Sequence, residues 1–205
     1  MTIALYNRIQ IASDPFENPV RKTIRFSMYK KLDHIYSDIQ MPVGYTVIPF
    51  DKSLLPAFSA VTRLAYVHNP ELEYYPDLGT RNGCYRLIEE FTEMQGFRPD
   101  ASFLVTWNNE PVAVVLARRL PGCVFGEIQF VAVAPRHRRR GLARILVTRA
   151  MLRLRDLQIP HASLHVNMSN RNAVRCFRRL GFEVNSTGLY GLTSGRSHGR
   201  LSKIG

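Results

Sequence analysis

The stretch from Glu127 to Leu157 constrains this chain more than any other. A compact apolar strand, Glu127 to Ala134, runs through Pro135 into the basic turn Arg138, Arg139, Arg140, Gly141. A helix with one apolar stripe follows: Ala143, Val147, Ala150, Leu154 and Leu157 recur at helical spacing. A strand, a glycine-bearing cationic turn and the start of an amphipathic helix make a phosphate-sized anion site. Glycine lets the backbone come close, and the helix N-terminus supplies free N–H donors. The turn has neither the GxxxxGK[ST] of a triphosphate site nor the GxGxxG of a dinucleotide site, so another phosphorylated cofactor is expected.

Charge agrees with an anionic ligand without choosing one. The 205 residues carry 28 Lys and Arg against 16 Asp and Glu, a formal net charge of +12. Arg136, Arg138, Arg139, Arg140, Arg144, Arg149, Arg153 and Arg155 crowd the segment around Gly141. A hydrophobic fraction of 45% excludes a disordered chain. The longest apolar runs, such as Pro111 to Ala117, are strand-sized, so no membrane span is expected. Asn7, Arg8 and Gln10 interrupt any signal-peptide core, which leaves the cytoplasm as the expected location. Cys84, Cys123 and Cys176 are odd in number and lack metal-ligand spacing, so neither a disulfide framework nor a metal site is expected.

Around this unit the pattern predicts one domain. A strand over Tyr45 to Phe50 follows the punctuation Pro42, Val43, Gly44. Asp51 or Ser53 caps a helix reaching His68, and a second helix carries Tyr85, Leu87, Ile88, Phe91 and Met94. Strands Ser102 to Thr106 and Val112 to Arg118 form a hairpin around Asn108, Asn109 and Glu110. Ser163 to Val166 is strand-like, Asn170 to Leu180 helical, and a last strand follows Gly181. The expected domain covers residues 43 to 194, with an N-terminal extension of unknown role over 1 to 42 and a tail over 195 to 205.

With these blocks in place the sequence resembles the GNAT superfamily of acyl-CoA-dependent N-acyltransferases. Arg138, Gly141 and Ala143 match its [RQ]xxGx[GA] signature, and Val131 to Pro135 is similar to the strand exit preceding it. Asn170, Ala173 and the Gly181–Phe182 pair are similar to its NxxA helix ending in GF. The resemblance implies an α/β fold of mixed α+β type: a central, mostly antiparallel, twisted sheet flanked by helices. Its fourth and fifth strands, counted from Tyr45, splay around acetyl-CoA. It implies cofactor contacts at Val131, Ala132, Val133, Arg138, Arg139, Arg140, Gly141, Leu142, Ala143, Arg144, Asn170, Ala173 and Phe177.

The implied reaction moves an acetyl group to a primary amine by direct attack in a ternary complex, so a base must remove a proton. Glu127 is the expected base, because Glu127 to Phe130 resembles the strand that carries the general-base glutamate of the histone acetyltransferase branch. Phe177 stands where many members carry a tyrosine acid, and Tyr190 is the substitute considered. His165 and Asn167 share one strand face under period-two alternation, which makes them candidate neighbours of the acceptor. The acidic, aromatic stretch Glu71, Glu73, Tyr74, Tyr75, Asp77 suits a cationic amine. The acceptor is a small-molecule, protein or peptide amine. The Pro42 to Tyr45 entry loosely resembles the mycothiol synthase-like branch, a likeness that names no substrate. An acyl-CoA sensor without turnover and a nucleic-acid-binding basic protein stay open as other readings, nucleic acid being disfavoured as a substrate. A homodimer is compatible with the family.

Overall fold

The computed structural model describes residues 22–36, 40–191 and 203–204. Its centre is one sheet in the order β2-β3-β4-β5-β6-β1-β7-β8. The strands are β1 (Lys22–Lys31), β2 (Tyr45–Pro49), β3 (Phe103–Trp107), β4 (Glu110–Arg119), β5 (Phe125–Val133), β6 (His161–Asn167), β7 (Glu183–Gly191) and the two-residue β8 (Lys203–Ile204). All neighbours run antiparallel except β5 and β6. The helices are α1 (Leu55–Tyr66), α2 (Arg81–Glu93), α3 (Leu142–Asp156) and α4 (Arg171–Arg179). Among the described residues no helix is long and apolar enough to cross a membrane.

The sheet is covered on both faces, and β4 records this in its sequence. Ala113, Val115 and Ala117 pack with α3, while Val114 and Leu116 pack with α1 and α2. A strand buried on both sides must read as a continuous apolar run, as Pro111 to Ala117 does. The β3–β4 hairpin turns on Asn108 and Asn109 at φ of 48° and 66°. Both central positions of such a turn need positive φ, which asparagine tolerates best after glycine.

β1 corrects the expected domain boundary. Residues 22 to 31, assigned from sequence to the extension, lie inside the sheet. They are paired to β6 from Arg25↔Asn167 to Lys31↔His161 and to β7 from Lys22↔Gly191 to Tyr29↔Glu183. Met28 is fully buried and belongs to the core with Leu164 and Val166. The connection β6–α4–β7 therefore skips one strand position, and the N-terminal segment fills it.

Two irregularities shape the site. β5 carries an extra residue, Gln129, since Leu116 pairs with Phe130 but Ala117 with Ile128. The bulge switches faces: Ile128 joins the α3 core and Phe130 the α1–α2 core. The parallel pairing of β5 with β6 covers only Phe125↔His161, Gly126↔Ala162 and Glu127↔Ser163, after which the strands diverge. These are the two strands expected to splay.

Candidate active site

The divergence of β5 and β6 opens a cleft of about 650 Å³. One wall is β5 from Ile128 to Val133, whose edge toward β6 has no strand partner past Glu127 among the described residues. The other is Leu164 to Val166 of β6, joined by Asn170, Ala173 and Phe177 at α4. Arg138, Arg139, Gly141, Leu142, Ala143 and Arg144 line the mouth.

The mouth has the chemistry of an anion site. Gly141 caps α3 at φ +82°, and a Cβ there would meet nothing within 4 Å, so backbone conformation and not crowding requires glycine. Arg139 is left-handed too, at φ +64°. The first bond from within α3 is Ile145 N–H to the Gly141 carbonyl, 3.0 Å. The amides of Leu142, Ala143 and Arg144 precede it, at the positive end of the helix dipole, and so suit a phosphate oxygen. Arg138 instead anchors the loop, its Nη2 donating to the Ala65 carbonyl at the end of α1 (2.8 Å) and its Nε to the Val133 carbonyl (3.2 Å). Arg140 is exposed and lies off the cleft wall.

The second signature is also structural in origin. Asn170 accepts from the Ala173 N–H (3.4 Å) to cap α4, and its Nδ2 donates to Asn69 Oδ1 (3.4 Å). Phe177 is buried at the cleft against Phe182, ring centroids 6.0 Å apart. The Tyr190 backbone pairs with Thr23 and Lys203, and its side chain lies outside the described residues.

At the inner end the acidic stretch is used differently from the expectation. The short helical turn Pro70–Glu73 docks on β1 and β6. Glu71, only 5% exposed, accepts from the Arg25 guanidinium and from the Asn167 N–H (2.7 Å). Arg25 also donates to the His165 carbonyl (3.1 Å) and lies 4.3 Å over the Tyr74 ring. Glu73 accepts from Asn167 Nδ2 (3.3 Å), and Asp77 meets Arg86 at 3.4 Å. Of the three carboxylates only Glu71 is buried and borders the cleft, already paired with Arg25, whereas Glu73 and Asp77 are exposed and lie off the cleft wall. Gln129 Nε2 donates to the Tyr75 hydroxyl (2.9 Å), and burial pushes that phenol up so that it keeps its proton.

Glu127 sits one layer behind the cleft, its side chain 6% accessible. Arg118 Nε donates to Oε2 at 2.6 Å, and His165 Nδ1 lies 3.6 Å from Oε1. Burial alone would push this carboxyl up. The nearby His165 imidazole and the Arg118 guanidinium outweigh it and hold the group below the usual carboxylate range. His165 and Asn167 do share a face, as alternation predicts, and His165 lines the cleft.

Sequence pattern alone does not single out Arg25 or Arg118. A signal for Arg25 exists nonetheless: Ile24, Phe26 and Met28 alternate with Arg25, Ser27 and Tyr29, a period of two obscured by flanking lysines.

A sheet split between two strands, with a helix N-terminus at the mouth of the split, suits an extended phosphorylated ligand laid edge-on to a strand. Residues 67–182 match the family model for the acetyltransferase (GNAT) family, and the chain belongs to it. Its cofactor is acetyl-CoA, which the free amides of α3 and the unpaired edge of β5 fit. Over 171 residues the chain is 28% identical to the mycothiol acetyltransferase of Propionibacterium freudenreichii subsp. shermanii, covering 82% of this chain and 52% of that protein. The chain thus spans about half the length of this relative. A GCN5-related N-acetyltransferase structure from Sphaerobacter thermophilus superposes with TM-score 0.66 at 19% identity, over 84% of this chain and 51% of that one. An aminoglycoside N-acetyltransferase solved with CoA gives 0.54 at 15% identity, over 72% and 94%.

Proposed function

We propose that this chain transfers the acetyl group of acetyl-CoA directly to a primary amine of a small molecule, both substrates being bound together. The observation that carries the reading is the mouth of the cleft. The first-turn amides of α3 stand where β5 and β6 part, so a pyrophosphate at Gly141 to Arg144 leaves the rest of the ligand to run inward along Val131 to Val133. Bound acetyl-CoA supplies a thioester carbon open to attack. The chain contributes backbone donors along β5, exclusion of water by Phe177 and Val166, and an ionisable pair, Glu127 and His165, at the inner end.

A small acceptor is supported by the docked turn Pro70–Glu73, which walls off the inner end with the buried Arg25–Glu71 pair. An extended peptide has less room there. The name of the Propionibacterium relative makes the unacetylated precursor of mycothiol the first amine to offer. The test is calorimetric titration with acetyl-CoA, then CoA-thiol release with that precursor, glucosamine, cysteamine, benzylamine and a lysyl peptide. Binding without release from any amine refutes the transferase reading in favour of a sensor. Release from the peptide alone refutes the small acceptor.

A further inference from the structure

Glu127 and His165 lie on the two strands that part to form the cleft, Glu127 in the last pair, Glu127↔Ser163, and His165 two residues past it. They are placed unequally. Glu127 is buried and forms no part of the cleft wall, whereas His165 lines the cleft with 36% of its side chain accessible. Each carboxylate oxygen is engaged: Oε2 by Arg118 Nε at 2.6 Å, Oε1 by His165 Nδ1 at 3.6 Å. A base must come within hydrogen-bond reach of the proton it removes. Glu127 would have to reach past the imidazole, and a carboxylate stabilised by an arginine is a weak base.

We propose that His165 is the general base of the transfer and Glu127 its positioning residue, Glu127 holding the Nδ1 side of the ring so that Nε2 is presented to the acceptor. This rests on the acetyltransferase reading above. In the step, the amine nitrogen bonds to the thioester carbonyl carbon and the carbon–sulfur bond breaks. One N–H proton passes to Nε2, the electron pair of the broken bond leaves with sulfur, and the imidazolium returns its proton to solvent or to the thiolate. The products are the amide and CoA thiol. The charged and titratable groups around His165 are Glu127 from β5, Arg118 from β4 behind it, Arg25 from β1 on the His165 carbonyl, Glu71 on the neighbouring Asn167 amide, and Tyr75 beside Gln129.

The experiment uses the full chain, saturating acetyl-CoA and whichever amine of the panel gives fastest CoA release. H165A is expected to lower kcat roughly 10²- to 10⁴-fold. Its acetyl-CoA Kd should stay within about twofold, since that binding is uniform and not specific to the transition state. Added imidazole should restore part of the rate to H165A, which also shows that the variant folds, and none to E127Q. If His165 is the base, the acid limb of kcat/KM disappears in H165A and persists in E127Q. Nitrogen-15 spectra should find the neutral wild-type ring protonated on Nδ1. E127Q should lose less than H165A, and H165A/E127Q should be no slower than H165A, because the two act as a unit. An Nε2–H ring, or an H165A enzyme that keeps its rate and acid limb, overturns the proposal. A wild type that binds no acetyl-CoA overturns the acetyltransferase reading beneath it.

Discussion

Replacing Arg25 by methionine should cost far more stability than a single strand residue of an appended segment would. The guanidinium is 3% exposed, and its removal breaks the ion pair with Glu71, leaving a carboxylate 5% exposed that still accepts from the Asn167 amide but has lost its cation. Breaking a buried pair on one side costs about 3–5 kcal/mol, because the surviving charge keeps its desolvation penalty. For a chain of this size each kcal/mol shifts Tm by roughly 2–4 °C, so a fall of roughly 6–20 °C is expected. The paired variant R25M/E71Q removes both charges yet keeps an acceptor for the Asn167 N–H. It should recover about 2 kcal/mol or more of the loss, the coupling expected of contacting residues. Urea unfolding of the full chain at pH 7, followed by circular dichroism with constant m-values, measures both. An R25M loss under about 1 kcal/mol, or a double variant no more stable than R25M, refutes the argument that the pair is a buried, mutually dependent unit.

Gly141→Ala should weaken acetyl-CoA binding and cost about 1–2 kcal/mol, since a Cβ at φ +82° is strained although nothing crowds it. Gly141→Asn should cost less, and equal losses for Asn and Val in calorimetric Kd and Tm would contradict the conformational origin. Glu127 gives a pH dependence: its folded carboxyl titrates below its ordinary 4.5, so its contribution is full above that value and fades as pH falls through the folded one. The stability gap between wild type and E127Q should therefore narrow from pH 6 to pH 3, and a constant gap would refute the assignment.

The geometry of the cleft mouth is legible in the sequence because its determinants are local. Positive φ at Gly141, a cap at Asn170 and the stripe of α3 each follow from a few adjacent residues. The pairing of Glu127 with Arg118 and His165 is not, because it depends on register. Glu127 is a plain strand glutamate until the bulge at Gln129 and the pairing with β4 bring Arg118 to its Oε2 and β6 brings His165 to its Oε1. The acidic stretch after His68 misleads for the same reason. Glu71 reads like its exposed neighbours Glu73 and Asp77 in sequence, yet it is buried by partners 46 residues away at Arg25 and 96 away at the Asn167 amide.

The position of β1 explains why these distant residues meet. Were the N-terminal segment an appendage, β6 would be an edge strand beyond the split, with its outer hydrogen-bonding groups unpaired and free to drift. β1 instead pairs along β6 from Arg25 to Lys31, and the same strand sends Arg25 over the rings of Tyr74 and Tyr75 to Glu71. One strand thus fixes the β6 wall of the cleft, closes its inner end and, through the His165 carbonyl, holds the backbone of the proposed base. Truncation ahead of Lys31 should then abolish amine acetylation together with cooperative unfolding, whereas removal of an appendage would leave both intact.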